Sequence, residues 1–182
     1  MSADTDRVAV ITWLAENAHG MGRTVLMKYC YFLQVVQGVP LGYNFTLYSY
    51  GPFDKEVLSD LDTTEALGGV ESTVEYYSGG YGYKIEPSGR AERVKKLGED
   101  FIRDHEEQLQ WVIREFGDWD SSGLEVASTL IYSDREAIRK KEKLDISRLA
   151  TRVRELKPRY SQPQIEKYAE RLMEKQLLKS IQ

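Results

Sequence analysis

Cysteine is almost missing from this chain, since Cys30 is the one cysteine among 182 residues. A single thiol cannot close an internal disulfide, and a lone cysteine is typical of a reducing compartment. The first six residues are acidic and polar, which does not predict a secretion signal. No apolar run approaches the roughly 20 residues that a bilayer crossing needs. These absences predict a soluble, cytoplasmic protein without a membrane partner.

Histidine is also scarce, and the groups that perform metal and nucleophilic chemistry are scattered. The chain has two histidines, His19 and His105, and the carboxylates next to His105 point in different directions on a helix. Cys30 lies on an apolar helix face without a neighbouring base. The glycines at 79–82 stand between two strands, which is wrong for a phosphate-binding loop. The sequence therefore predicts no catalytic residues, no metal site and no cofactor.

Charge is distributed unevenly between the two ends of the chain. The net charge is -4, but residues 134–182 carry 14 Lys+Arg against 8 Asp+Glu, a net of +6, which leaves -10 for residues 1–133. Because cations are needed to bind phosphates, any nucleic-acid contact is expected at the C-terminal end. The composition, 41% hydrophobic and 30% charged, is that of a globular protein.

Apolar spacing and turn residues predict the elements of the N-terminal half. Two helices are expected before Gly38, then a strand at 45–50, a third helix capped by Asp54 and ended at Gly68, and a β-hairpin with strands at 70–77 and 81–85.

The C-terminal half is predicted to be helical throughout. The pattern predicts one long helix through 94–116, a helix from 120 to about 133, a charged loop or frayed helix at 134–143, and a helical hairpin of 146–156 and 163–179. Ser161 and Gln164 are spaced as a capping box for the last helix.

The order helix, helix, strand, helix, hairpin is that of many winged-helix domains, in which the hairpin is the wing. The predicted fold is mainly α with a small β component. It comprises a winged-helix-like N-terminal lobe at 1–90 and a helical lobe at 91–182, packed together as one compact unit. The segments 58–70 and 83–89 are similar to the last helix, wing and exit turn of bacterial winged-helix regulators.

A second resemblance lies in residues 22–53. The segments Gly22-Arg23-Thr24-Val25-Leu26-Met27-Lys28, Tyr31-Phe32 and Tyr50-Gly51-Pro52-Phe53 together resemble the YwgA-like and Panacea-domain bacterial proteins, a group that includes SocA-like antitoxins. The resemblance covers roughly the first ninety residues. It implies a bacterial protein that acts by binding other proteins, and it supplies no catalytic residues.

The wing and the helix before it are acidic, so both would repel the phosphates of DNA. Tyrosine is enriched at protein interfaces, and the hairpin is rich in it. We therefore expect a protein-interaction face on the hairpin, although half-buried strand residues would give the same pattern. The residues of this face are Tyr76, Tyr77, Tyr81 and Tyr83.

The second candidate surface is a basic patch. It could bind a nucleic-acid backbone or an acidic partner, or it could be a solvated helix face. Its residues are Arg139, Lys140, Lys141 and Lys143, with further cations at 148–159. The sequence thus favours a non-enzymatic interaction module, antitoxin- or adaptor-like, whose partner is another protein or a second copy. A DNA-binding regulator that uses the basic C-terminal helices is the alternative.

Overall fold

The computed structural model describes residues 3–181, which form a mainly helical protein with a small β component, as the sequence predicts. The helices are α1 (Ala3–Asn17), α2 (Arg23–Val35), α3 (Lys55–Leu67), α4 (Ala91–Lys95), α5 (Glu99–Asp104), α6 (Glu106–Phe116), α7 (Ser121–Arg139), α8 (Ile146–Leu156) and α9 (Gln162–Glu174). The strands are β1 (Thr46–Tyr48), β2 (Gly51–Phe53), β3 (Val70–Tyr77) and β4 (Gly80–Pro87). Within residues 3–181, no helix combines the length and apolar character that a membrane crossing requires.

The chain divides into two compact units. Unit 1 is Met1–Phe45 with Asp54–Asp118, and unit 2 is Thr46–Phe53 with Trp119–Gln182. The predicted lobes met at residue 90, whereas unit 1 extends to Asp118 because α4 packs on α1 and α6 packs on α2. The short segment of β1 and β2 belongs to unit 2 because β2 packs on α7.

Unit 1 has the predicted succession of helices followed by a hairpin. Asp54 begins α3 by accepting a hydrogen bond at 2.9 Å from the backbone N–H of Glu56, and α3 ends at Gly68 with φ +78°. β3 and β4 pair antiparallel, with Val70 opposite Pro87 and Tyr76 opposite Tyr81. The third helix, its cap and the hairpin are therefore confirmed.

The predicted strand at 45–50 is a separate small hairpin. β1 pairs antiparallel with β2, and Tyr48 lies opposite Gly51. Gly51 adopts φ +91°, a backbone conformation that glycine tolerates, so the chain reverses at 49–50 and Gly51-Pro52 continues as a strand instead of closing one.

The predicted long helix at 94–116 is wrong, because the structure breaks it twice. Gly98 lies in a 3₁₀ turn, Lys96–Gly98, where an added Cβ would stand 2.8 Å from the Cβ of Ala9 on α1. The second break is at His105, whose φ of -120° separates α5 from α6. Beyond it, the ring of Phe116 stacks on that of Phe32 at 4.1 Å between ring centroids and fixes α6 against α2.

The expected loop or frayed helix at 134–143 is also wrong over most of its length, because α7 continues to Arg139. Asp134, which the sequence suggests is solvated, is fully buried. Its carboxylate accepts hydrogen bonds from the backbone N–H groups of Lys179 at 3.0 Å and Ser180 at 2.8 Å. A buried carboxylate needs such donors, and here they anchor the segment after α9.

The helical hairpin of unit 2 agrees with the prediction except at its end. α8 has the predicted bounds, and the capping box of Ser161 and Gln164 is present at the start of α9. The last helix ends at Glu174 and not near Lys179, because the chain turns at Gln176 with φ +57°. Leu177 and Leu178 then become buried, and Leu144 forms a parallel bridge with Ile181.

Candidate interaction surfaces

One face of the β3–β4 hairpin carries three of the four predicted tyrosines. Tyr76 and Tyr81 lie opposite each other, with ring centroids 6.4 Å apart, and are 84% and 60% exposed. Val74, opposite Tyr83, is 46% exposed on the same face because side chains two apart on a strand share a face. We call Val74, Tyr76, Tyr81 and Tyr83 the wing face.

Tyr83 is the half-buried member of the wing face. The guanidinium of Arg23, at the start of α2, lies 3.7 Å from the centroid of its ring. The Tyr83 carbonyl also lies so close to Gly22 that a Cβ there would stand 2.7 Å from the carbonyl oxygen. Arg23 and Gly22 therefore fasten the base of the wing face to α2.

Tyr77 lies on the opposite face of the hairpin, so the structure separates it from the other three tyrosines. Its ring lies over Gly82, where an added Cβ would stand 3.3 Å from the ring. Its hydroxyl donates a hydrogen bond to the carbonyl of Tyr81 at 3.0 Å. Tyr77 therefore shapes the tip, and Val74 replaces it on the wing face; two-residue alternation along β3 could have shown both.

Carboxylates lie on the hairpin face opposite the wing face, because strand alternation places them on the same side as Tyr77. Glu71, Glu75 and Glu86 are exposed on the two strands, and the ammonium group of Lys84 lies 2.8 Å from the carboxylate of Glu86. This hydrogen bond and the charge of Glu86 raise the pKa of Lys84 above its ordinary value. The charge of Lys84 is thus partly neutralised, and the hairpin face opposite the wing face is acidic.

The predicted basic patch is brought together at the end of α7 and the turn that follows. Arg139, Lys140, Lys141 and Lys143 are all exposed, and Lys141 adopts φ +58° where the helix has ended. Arg139 forms an ion pair with Glu136 on the preceding helical turn. Cations at a helix C-terminus also interact favourably with the helix dipole. The cations at the end of α7 therefore stabilise this helix, which is a structural reason for part of the basic patch.

Two cations counted with this basic region have another role. Lys157, taken from the sequence as part of a solvated face, is 3% exposed, and its ammonium group lies 3.0 Å from a carboxylate oxygen of buried Glu125. It also donates to the backbone carbonyl of Ser49 in the turn between β1 and β2. Arg159 pairs with the other oxygen of Glu125.

Burial lowers the pKa of Lys157, and the hydrogen bond with Glu125 opposes the shift. Glu125 and Lys157 form a buried ion pair within unit 2. The sequence does not reveal this pair, because the two residues are far apart in the chain.

Unit 1 has its own buried polar cluster, formed by Arg7, Tyr43 and Asp60. The guanidinium of Arg7 on α1 donates to the carboxylate of Asp60 on α3 at 2.7 Å, and the hydroxyl of Tyr43 donates to the same carboxylate at 2.8 Å. Burial, with the adjacent Cys30 and Asp60, raises the pKa of Tyr43 well above its ordinary value. The hydroxyl therefore stays protonated and remains a donor. Asp60, one of the carboxylates of the helix predicted to be acidic, is buried in the core.

A groove runs along unit 2 beside the basic patch. Its floor contains Leu47 of β1 and Leu156 of α8, which line two adjoining cavities of about 260 Å³ and 380 Å³. Tyr132, Ser133, Glu136, Lys140, Arg152 and Glu155 line the first cavity, and Tyr48 and Ser49 line the second. The groove could not be predicted from local sequence patterns, because the segments that line it, around Leu47 and around Tyr132, are far apart in the chain.

Among residues 3–181, no three His, Cys, Asp or Glu side chains are grouped so that they could hold a metal ion. The side chain of Cys30 is buried, and burial raises its pKa. The group therefore stays protonated, and the protonated thiol is not nucleophilic. A scan against protein-family models and a search of curated proteins both find no match to this chain.

Proposed function

We propose that this protein is a cytoplasmic, non-enzymatic interaction module that binds a protein partner through the wing face. The observation that carries the proposal is the exposure of Tyr76, Tyr81 and Val74 together on one side of a hairpin. Adjacent exposed aromatic side chains in a folded domain are unfavourable in water, and they mark surfaces that a partner covers. Unit 1 carries 11 Lys+Arg against 19 Asp+Glu, a net charge of -8, which favours a partner with basic residues.

The resemblance of residues 22–53 to the YwgA-like and Panacea-domain proteins supports an antitoxin-like or adaptor-like role. Within this segment, Gly22 and Arg23 are the residues that fasten the wing face to α2. The resemblance and the wing face therefore converge on one surface.

The test is capture of a partner from the cell that contains the protein, quantified by mass spectrometry, with wild type and with the Y76S/Y81S variant. We expect the wild type to enrich one protein reproducibly and the variant to lose at least about nine-tenths of it, since interface tyrosines commonly contribute 2 kcal/mol or more. The matched control is Tyr50→Ser, because Tyr50 is 63% exposed but lies outside the wing face. Equal enrichment by wild type and Y76S/Y81S would remove the proposal.

A DNA-binding regulator is the second candidate, and the exposure of Lys140, Lys141 and Lys143 favours it. Binding through these cations would weaken steeply as salt rises, because it depends on counterion release. Electrophoretic mobility of duplex DNA at low and at moderate salt tests it, with the triple variant K140Q/K141Q/K143Q as the comparison. Absence of a shift at low salt would exclude this candidate.

A further inference from the structure

The outer edge of β4 is occupied by the chain itself. The backbone N–H of Ile85 donates to the carbonyl of Met21 at 2.8 Å, so it points away from β3. Two residues nearer the tip, the carbonyl of Tyr83 lies against Gly22, where an added Cβ would stand 2.7 Å from the oxygen. The segment between α1 and α2 therefore covers this side of the hairpin near its base.

The outer edge of β3 is open. In an antiparallel pair, the backbone groups of residues directly opposite each other point either toward each other or both outward, in alternation along the strands. Ser72 lies opposite Ile85, so the N–H and C=O groups of Ser72, Val74 and Tyr76 point away from β4. Within residues 3–181, no group outside the hairpin forms a hydrogen bond with the backbone of these three residues. We call these backbone groups the β3 edge.

The β3 edge lacks the features that usually protect an exposed edge strand. Natural proteins block such edges with proline, lysine or a β-bulge, because unpaired N–H and C=O groups accept a further strand. β3 contains no proline or lysine, and its register with β4 runs without interruption from Val70 to Tyr77. Residues 73–77 are all exposed. An extended segment can therefore add hydrogen bonds to the sheet here.

The two faces of the hairpin differ in charge beside this edge. The wing face lies on one side, whereas Glu71 and Glu75 lie on the other. Glu71 is directly opposite Glu86, and like charges in that position are unfavourable. The ammonium group of Lys84 is paired with Glu86, so this face carries three carboxylates and one cation. A strand added beside β3 would meet an uncharged surface on one face and carboxylates on the other.

We propose that the β3 edge binds an extended segment of a partner protein as a third, antiparallel strand. The segment alternates apolar residues, which pack on Val74 and Tyr76, with lysine or arginine residues, which face Glu71 and Glu75. The inference rests on the proposed function, because it names the binding mode and the chemistry of the partner at the wing face. A second copy of this chain does not fit, since its β3 would bring another row of carboxylates to Glu71 and Glu75.

Val74→Pro tests the β3 edge separately from the side chains of the wing face. It removes an N–H that points away from β4, so the hydrogen bonds between β3 and β4 are kept, and proline is tolerated at such edge positions. Val74→Thr is the matched control, because threonine is also β-branched and keeps the N–H. Circular dichroism and the urea midpoint verify that both variants are folded.

The probe is a synthetic peptide of about nine residues, the length of a long strand, in which lysine alternates with valine. One control peptide carries glutamate in place of lysine. A second is N-methylated at its valines, which removes the N–H groups that face β3 and keeps the charge. Binding is measured by NMR titration at ~0.15 M salt. Amide hydrogen exchange of Ser72, Val74 and Tyr76 is followed with and without the peptide, and this measurement needs no variant.

We expect the lysine–valine peptide to bind the wild type and Val74→Thr alike. Its affinity for Val74→Pro should be about tenfold lower or less, because a hydrogen bond and the close approach of the two backbones are both lost. The glutamate peptide and the N-methylated peptide should bind the wild type as weakly. The lysine–valine peptide should also slow the exchange of the N–H groups of Ser72, Val74 and Tyr76, since the added strand forms hydrogen bonds with the β3 edge.

Three results would overturn the inference: no binding of the lysine–valine peptide, equal binding of its N-methylated form, or equal binding by folded Val74→Pro and Val74→Thr. A dimer of the wild type that protects the same three N–H groups would overturn it too, because a second copy would then occupy the β3 edge.

The proposed function fails separately. If Y76S/Y81S loses a captured partner that Val74→Pro retains, the wing face is an interaction surface and the β3 edge is not used. If Val74→Pro loses the partner and Y76S/Y81S retains it, the β3 edge is the site and the proposal for the wing face is wrong.

Discussion

The small hairpin of β1 and β2 is held at its turn by Lys157, which is buried and donates to a backbone carbonyl there, whereas the hairpin of β3 and β4 is held at its base and has an exposed tip. In the small hairpin, the buried ammonium group of Lys157 donates a hydrogen bond to the backbone carbonyl of Ser49. In the longer hairpin, the tyrosines at the tip, Tyr76, Tyr77 and Tyr81, are exposed. In this protein a buried side chain can therefore hold the turn of a hairpin. The exposed tip is a property of the longer hairpin and not of both hairpins.

The largest effect on stability is expected from Lys157→Met, which removes the side chain that holds the turn of the small hairpin. The change removes the partner of buried Glu125 and the donor to the turn, and losing one member of a buried ion pair commonly costs 3–5 kcal/mol. Because Arg159 still pairs with Glu125, we expect a loss of about 3 kcal/mol in the free energy of unfolding, measured with urea. Lys167→Met, at an exposed position of α9, is the control. Equal stability of the two variants would mean that Lys157 does not hold the turn.

The second prediction concerns alkaline pH and the unit that carries the longer hairpin. Burial in α2, and to a lesser extent the charge of Asp118, raises the pKa of Tyr29 from 10.0 to about 12. Above pH 10 the unfolded chain ionises first and binds fewer protons than the folded chain, so stability falls as pH rises. The rise in pKa from 10.0 to about 12 corresponds to a loss of about 3 kcal/mol in the free energy of unfolding, and this loss is complete above pH 12.

Urea unfolding at pH 9 and near pH 11.5 measures this effect. Tyr29→Phe removes the ionisation while keeping the ring, so its stability should decrease less between the two pH values than that of the wild type. An identical decrease in both proteins would assign the alkaline effect to other groups.

A smaller effect is expected at the base of the wing face. Arg23→Ala removes the guanidinium from the ring of Tyr83, and such a contact contributes about 1 kcal/mol when it is partly exposed. Thermal unfolding followed by circular dichroism should show a lower midpoint than for Arg93→Ala, an exposed arginine of α4. If the contact between Arg23 and Tyr83 does not stabilise the base, the two variants will have the same unfolding midpoint.

The smallest change in stability is expected at the tip itself. Tyr76→Ser and Tyr81→Ser, made singly, should each alter the free energy of unfolding by roughly 0.5 kcal/mol, because both side chains are exposed and lose mainly their contact with each other. Their effect on partner binding should be much larger. A stability loss comparable to that of Lys157→Met would show that the tyrosines support the fold and would contradict the contrast between the hairpins.

The sequence predicted those features that depend on neighbouring residues. Apolar spacing, the Asp54 cap, the capping box of Ser161 and Gln164, and the glycine turn of the long hairpin all act over a few residues, and each is present. The interruption at Gly98 was underestimated, because close packing against Ala9 on α1, and not local preference, breaks the helix there. The break at His105 was not predicted.

The buried charges were beyond local patterns for the same reason. Asp134, Lys157 and Asp60 resemble surface residues in the sequence, and only their distant partners make burial tolerable. The groove likewise needs segments far apart in the chain. The tyrosines of the wing face were found because the hairpin is rich in tyrosine, and two-residue alternation along the strands accounts for Tyr77 lying apart from them.

The hydrogen bond from Tyr77 to the carbonyl of Tyr81, with the ring lying over Gly82, has a consequence for kinetics. It fixes the shape of the tip before any partner arrives, so little conformational entropy remains to be lost on association. A preorganised tip should lengthen the lifetime of a complex more than it speeds encounter, since affinity differences within one interface mostly reside in the dissociation rate.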